Sequence, residues 1–162
     1  MAAEDLKINW GSLTSIATIT DLNSLADGNL WLSAAINDAE PAHQLVQISY
    51  TLEFNATPIA GDYLQLFLPE GNGDGTILWP GGVSDSQQEI SAAADIAAFL
   101  AACPPVWYHY WQTSHGAIFK FVKTFRLPAP DWRVGIRCVG EALKSTGNSI
   151  KYKYGTPQRQ TS

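Results

Sequence analysis

The stretch QLVQISYTLEF, residues 44–54, alternates apolar and polar side chains over nearly its whole length. Every even position from Val46 to Phe54 is apolar, and the positions between them carry Gln, Ser, Thr and Glu. Successive side chains of an extended chain point to opposite faces, so a period of two is typical of an antiparallel strand with one buried face. The stretch therefore predicts a half-buried strand and favours an all-β fold.

The same alternation recurs near the C-terminal end in AIFKFVKTFR (117–126), DWRVGIRCV (131–139) and NSIKYKYG (148–155). In the second of these segments, Arg133 and Arg137 fall on the side opposite the apolar residues. Gly, Pro, Asn and Asp separate these and several weaker strand candidates, as turns require. About eight short strands joined by turns predict a single antiparallel β-sandwich.

One segment has a helical pattern instead. SAAADIAAFLAAC, residues 91–103, is rich in alanine, and its larger residues Ile96 and Phe99 recur at helical spacing. Ser91 is a candidate N-cap, and the proline at position 104 ends the pattern. We expect one short helix near residues 91–103, across one end of the sandwich.

The length of 162 residues suits one domain. We assign an N-terminal arm to residues 1–14, the β-sandwich to residues 15–154 and a flexible tail to residues 155–162, because the end of the chain is short and polar.

Charge is divided unevenly along the chain, although the total is only −5. Residues 1–119 contain one lysine and thirteen acidic residues, and residues 120–162 contain nine Lys and Arg with two acidic residues. Such a division fits pairing within the chain, head-to-tail contacts between subunits, or a basic face toward an acidic partner. The sequence leaves these three alternatives open.

Two cysteines, Cys103 and Cys138, are too few for a disulfide framework or a tetrahedral metal site. We expect buried thiols, and one bridge between them stays open. The opening MAAEDLKINW has no basic segment followed by an apolar core, so export by the general secretory route is not expected. No apolar run is long enough to cross a bilayer, so no membrane contact is expected.

Motifs for metal binding, catalysis and nucleic-acid binding are incomplete. A calcium loop that begins at Glu70 would need a glutamate at its twelfth position, where the chain has Gly81. No nucleophile motif or cysteine–histidine signature is present, so we expect no catalytic residue, cofactor or metal and no enzyme activity. The basic last 43 residues favour phosphate, but the chain as a whole is acidic, so nucleic acid is an unlikely partner.

The hexapeptide VWYHYW, residues 106–111, allows two interpretations. Trp107 and Trp111 on an exposed strand face would stack sugar rings, as in carbohydrate-binding modules. Large aromatic residues also fill cores and subunit interfaces, and this second interpretation is favoured.

Several segments resemble a family of small structural proteins of tailed-bacteriophage virions. The segments are residues 19–40, residues 44–54 and TPIAGDYLQLFLPEG at residues 57–71. Toward the C-terminal end the matching residues are Leu127, Pro128, Trp132, Ile136, Gly140, Leu143, Gly147, Asn148, Ile150 and Tyr152. The Ala-rich helix and Cys138-Val139 depart from the family pattern, which leaves the position within the virion open.

This resemblance implies a jelly-roll-like sandwich and a non-enzymatic virion protein, most often a capsid cement or decoration protein that stabilises the shell through subunit contacts. It implies the major capsid protein or other virion proteins as partners, synthesis in the cytoplasm of a bacterial host, and a homo-oligomer, with a trimer favoured. The alternative is a carbohydrate-binding module of a phage tail fibre or baseplate.

The arm is expected to form one more strand, because Leu6, Ile8 and Trp10 alternate with polar residues. A lone strand needs a neighbour, and we expect another subunit or the shell, with the edge of the chain's own sandwich as the alternative. The candidate interface residues are Leu6, Ile8, Trp10, Trp107, Trp111, Lys151 and Lys153.

Overall fold

A computed structural model describes residues 6–16, 19–38, 42–71, 84–113, 116–127 and 130–159. Within these residues the strands are Leu6–Trp10 (β1), Thr14–Ser15 (β2), Leu30–Leu32 (β3), Ile36–Asn37 (β4), Leu45–Glu53 (β5), Tyr63–Phe67 (β6), Gln88–Ile90 (β7), Trp107–Tyr110 (β8), Ile118–Arg126 (β9), Asp131–Trp132 (β10), Gly135–Val139 (β11) and Ser149–Arg159 (β12). The helix is Ala93–Ala102 (α1). Five of these strands have only two or three residues, too few for alternation to be recognised in the sequence.

Two antiparallel sheets pack face to face. The first has the order β1-β12-β5-β9, with β2 also paired to β12, and the second has the order β7-β3-β11-β6-β8. Strands β4 and β10 form a separate pair. The structure thus confirms the predicted all-β, jelly-roll-like sandwich with a single helix in the described part of the chain.

The main core lies between the two sheets. Alternate residues of β5 are buried, which confirms the strand predicted from residues 44–54. They pack with inward side chains of the opposite sheet and its flanking loops, including Trp31, Leu66, Trp132 and Ile136. Burying a large apolar side chain contributes roughly 1.5–3 kcal/mol, so this cluster is the main source of stability.

A smaller cluster covers the other face of the second sheet. Helix α1 buries Ile96 and Phe99 against Leu30, Leu32 and Phe67. Strand β3 is consequently buried on both faces, which explains why its sequence reads LWL without alternation. The helix was predicted within one or two residues, but Ser91 does not cap it: the N-cap position is Ala92, which makes no side-chain capping bond.

The two ends of the chain pair with each other. Strand β1 runs antiparallel to the last residues of β12, with Leu6 opposite Arg159 and Trp10 opposite Gly155. The arm is therefore an edge strand of its own sandwich, the second of the two alternatives, and residues 155–159 belong to a strand instead of a flexible tail. The boundary assigned at residue 155 is corrected because the arm supplies hydrogen-bonding partners for the end of β12.

The segment 131–139 is interrupted in the middle, between β10 and β11. Arg133 lies at this break with 0% exposure, although alternation placed it on an outward face. Its guanidinium donates to three backbone oxygens: from Nε to Ser33 (2.6 Å), from Nη2 to Ser86 (2.6 Å), and from Nη1 to Ser84. One buried side chain thereby fastens the turn before β7 to the end of β3.

Gly140 and Gly147, two of the residues that carry the resemblance, both have positive φ, +106° and +87°. The Gly140 N–H donates to the carboxylate of Asp27 (2.7 Å), and the missing side chain leaves room for Asp62. Each glycine therefore combines a left-handed backbone with close packing against a carboxylate.

Both cysteines are free and buried. Burial, followed by the nearby Glu70 carboxylate, raises the pKa of the Cys103 thiol to about 11, and burial together with Asp27 raises the pKa of Cys138 further. Because the thiolate is the reactive form, we expect native protein at pH 8 to react with a disulfide reagent about a hundredfold more slowly than unfolded protein. Rapid labelling of two thiols in the native state, followed by absorbance, would contradict this.

Candidate interaction surface

Basic side chains from β12 and β9, the two strands that flank β5, point from the outer face of the first sheet. Lys151 and Lys153 point outward from β12, since Ile150 and Tyr152 on the same strand pack inward. Lys120 and Arg126 point outward from β9, where Phe119, Phe121 and Phe125 pack inward. We call these four cations, with Trp10 and Val122 between and beside them, the basic face.

Register places the members of the basic face in rows across the sheet. Lys151 lies opposite Ser49 of β5, and Ser49 lies opposite Val122 of β9. Lys120 lies in the next row, opposite Thr51 of β5. Adjacent strands are about 4.8 Å apart, so β12 and β9 lie about 10 Å apart on either side of β5, and their cations are placed diagonally across it. Among the outward residues of β5, β9 and β12 that the structure describes, Glu53 is the one carboxylate, and it pairs with the Lys144 ammonium.

Two lysines of the basic face have no counter-charge. Within the described part of the chain, neither Lys120 nor Lys151 lies within ion-pair distance of a carboxylate. Lys153 instead sits over the indole ring of Trp10, with Nζ 5.1 Å from the ring centroid. Such a cation–π contact leaves the positive charge exposed while it fixes its position.

Acidic residues lie on the other side of the sandwich. Asp85 precedes β7, Glu89 belongs to β7, and Asp95 is in the first turn of α1, and all three are exposed. These three carboxylates thus lie on the side of the sandwich away from the basic face, where Arg137 of β11 is a neighbouring cation. Of the three alternatives left open by the sequence, pairing within the chain accounts for Lys144 with Glu53 but not for Lys120 or Lys151.

The candidate interface residues are distributed between this face and the interior. Ile8 and Trp10 are half-buried on the outer side of β1, opposite Pro157 and Gly155, beside Lys153. Leu6 is on β1 as well, and its side chain is outside the described part of the structure.

Trp111 does not belong to the surface, and the candidate interface is corrected there, whereas Trp107 is half-buried and faces the first sheet. Trp111 is 2% exposed, and Trp107 packs against Phe121 with ring centroids 4.5 Å apart. The alternation of side chains along β8 explains this. Trp107 and His109 face the first sheet, so Tyr108 and Tyr110 point outward.

Lys123 interrupts the apolar side of β9, which it shares with Phe119, Phe121 and Phe125, and its side chain is exposed. It lies opposite Ile48 in the register, and its Nζ is 5.1 Å from the ring centroid of Trp107. Strand β9 is an edge strand, and a charge that points inward at an edge disfavours pairing with another chain.

The pair of His43 and Asp38 is the arrangement closest in geometry to a catalytic dyad. His43 Nδ1 lies 2.8 Å from Asp38 Oδ2, and its ring stacks on Tyr154 with centroids 4.6 Å apart. Trp132 Nε1 donates to the Tyr154 hydroxyl, and burial raises the pKa of Tyr154, which keeps the phenol neutral. These contacts fasten the start of β5 to β12, a structural role.

The described residues contain neither a ready-made metal site nor a membrane-spanning helix. They contain no group of three His, Cys, Asp or Glu placed to hold a metal ion. Most of the incomplete calcium loop, from residue 72 onward, lies outside the described residues. No described helix is long and apolar enough to span a bilayer.

Comparison with protein-family models and with curated proteins finds no match for this chain. The resemblance to virion proteins therefore depends on the quoted motifs alone, and the basic face is the structural feature that bears on function.

Proposed function

We propose that this chain is a non-enzymatic structural protein of a tailed-phage virion that acts as a capsid cement and binds the shell through its basic face. The observation that carries the proposal is the pair of lysines, Lys120 and Lys151, exposed on the outer face of the first sheet with no counter-charge among the described residues. The sequence resemblance supplies the class of protein, and the surface supplies the mode of attachment.

An exposed sheet face with separated cations suits an extended, acidic protein surface. Complementary charges across an interface steer association and fix register. Val122, with 54% exposure, and Ile118 add apolar area beside the cations. A cement protein occupies many equivalent sites, so contacts that are modest individually add through avidity when copies are linked.

The placement of charge also supports self-association. Lys153 and Arg126 of one copy, which a shell contact through Lys120 and Lys151 leaves available, are complementary to the acidic side formed by α1 and β7 of the next copy. Such a head-to-tail contact closes into a ring when the rotation is suitable. We propose a trimer at a local three-fold position of the shell. Sedimentation at high concentration, and the arrangement of copies on particles, test this; isolated monomers in both settings would contradict it.

Removing the two unpaired cations is expected to weaken attachment. The K120Q/K151Q variant should bind purified virions of the encoding phage, or shells stripped of the protein, at least about tenfold more weakly, since two interface charges are lost. Binding of the unchanged protein should also weaken as salt is raised, because exposed charges are screened.

A matched control changes the net charge by the same amount elsewhere. The A56E/A60E variant also lowers the charge by two, at exposed positions of the loop between β5 and β6, and should bind nearly as well as the unchanged protein if the basic face alone meets the shell. Absence of the protein from purified particles in quantitative mass spectrometry, or equal binding by K120Q/K151Q, would overturn the proposal.

A further inference from the structure

Strand β9 is a free edge of the first sheet. It pairs with β5 along all nine of its residues, Ile118–Arg126, and its other side makes no backbone hydrogen bond with any described residue. About half of the N–H and C=O groups of an edge strand point away from the sheet, where they are a template for pairing with another strand. The backbone of β9 therefore offers a row of hydrogen bonds that the described residues leave unused.

The apolar side of β9 is also incompletely covered. On the neighbouring strand β5 the inward side chains are at most 2% exposed, whereas Phe119, Phe121 and Phe125 of β9 are only half-buried. Trp107, on the edge strand β8 of the facing sheet, is half-buried as well. The sandwich is thus open along β9, and one more strand at this edge would cover the aromatic row.

The aromatic row ends in an open cleft beside Phe125. The cleft has a volume of about 400 Å³ and is lined by Leu68, Glu70, Val106, Phe125, Arg126 and Leu127. Four of these six residues are apolar, and the charges of Glu70 and Arg126 are opposite, so the cleft suits an uncharged, apolar side chain. A strand paired with β9 would bring such a side chain to the cleft at the position opposite Phe125.

One positive charge interrupts the row and restricts which strand fits. Lys123 is on the inward side, and within the described part of the chain no carboxylate lies within ion-pair distance of it. Directly opposite residues of paired strands have Cβ atoms about 5 Å apart, and opposite charges at that distance stabilise the pair while like charges destabilise it. An apolar side chain would cover the ammonium without supplying a counter-charge. The incoming strand is therefore selected by a carboxylate opposite Lys123.

We propose that β9 binds an extended segment of a partner protein by strand addition, with an aspartate or glutamate of that segment opposite Lys123. All strand pairs of the described residues are antiparallel. In that orientation the inward side chains of the segment, from its N-terminal end, are apolar, acidic, apolar and apolar, opposite Phe125, Lys123, Phe121 and Phe119. A second copy of β9 does not meet this requirement, because Ile118–Arg126 contains no carboxylate.

The acetylated and amidated nonapeptide TVTETVTIT has this pattern, and titration followed by NMR tests the site. We expect the peptide at millimolar concentration to slow hydrogen exchange of the outward-directed β9 amides at least about threefold. The matched peptide TVTKTVTIT should bind at least about tenfold more weakly, because it places two like charges opposite each other.

Variants of the protein identify the residue that selects the peptide. K123E should reverse the preference between the two peptides, and K123Q should bind both with affinities within about threefold of each other. K120E makes the same change of charge on the outward side of β9 and should keep the preference for the glutamate peptide.

Absence of binding at millimolar concentration would overturn the inference, as would equal binding of the two peptides by the unchanged protein. Binding that leaves the β9 amides unprotected would also overturn it, because the peptide would then lie elsewhere. Protection of these amides that rises with protein concentration alone would assign the edge to a second copy instead. Absence of the protein from particles, with peptide selectivity retained, would refute the cement role alone, so the two proposals fail separately.

Discussion

Replacing Arg133 with methionine is expected to lower the free energy of unfolding by about 3–5 kcal/mol. The side chain is fully buried and donates to the carbonyls of Ser33, Ser84 and Ser86. Methionine fills much of the same volume but has no donor, so three backbone oxygens lose their charged partner, one of them in a buried site and two in partly buried ones. Chemical denaturation followed by tryptophan fluorescence measures the change.

The pKa of Arg133 reflects its burial. Burial lowers the pKa of its guanidinium to about 10, and the nearby Asp85 carboxylate opposes this decrease. The lysine substitution R133K should rescue only part of the loss, because one ammonium cannot reach three divergent carbonyls. The R137M variant is the matched control. Arg137 is half-exposed, so water can replace part of its hydrogen bonding to Gly28, Tyr63 and Gln65, and we expect the free energy of unfolding to fall by about 1 kcal/mol. A loss below this value in R133M would show that the three contacts do not stabilise the fold.

The G140A variant is expected to be destabilised by about 2–5 kcal/mol, the second large effect. An alanine at φ +106° meets about 1–2 kcal/mol of backbone strain. Its Cβ would overlap the carboxylate of Asp62, and overpacking of this kind adds about 1–3 kcal/mol. The midpoint of urea unfolding measures the sum.

Gly28 provides the control, because it also has positive φ, +78°, but nothing lies within 4 Å of the position a Cβ would take. G28A should therefore show the backbone strain alone, about 1–2 kcal/mol. Equal losses in G28A and G140A would mean that Asp62 moves aside without cost and that the close approach does not matter.

Local alternation was enough to predict the strands that carry one buried face. Residues 44–54 contain β5, whose buried side is the one predicted. Trp132, Val134, Ile136 and Cys138 also face the core as predicted. The break at Arg133 was not visible, because its cause is the turn at residues 84–86, some fifty positions away in the sequence. The pairing of β1 with β12 depends in the same way on contacts between opposite ends of the chain.

The candidate surface was only half predicted for a related reason. Lys151 and Lys153 were identified from alternation, but Lys120 and Arg126 were not joined to them, because strand order is not encoded in any one segment. Within residues 106–111, both sets of alternating positions carry rings: Trp107, His109 and Trp111 form one set, and Tyr108 and Tyr110 belong to the other. Alternation alone therefore does not show which set faces the core. Contacts of Trp107 and His109 with Phe121 and Phe119 decide which rings are buried, and this left the two tyrosines for the surface.

Pairing between the two ends of the chain also sets how the protein responds to force. Residues 6 and 159 lie side by side, and the hydrogen bonds between β1 and β12 run across the direction of the strands. A pulling force that separates these two ends breaks the hydrogen bonds between β1 and β12 one at a time, from the outermost inward, which is an unzipping geometry. Strand β1 would therefore detach at low force while β12 stays held by β5, so the molecule gains length under tension before its core is disturbed.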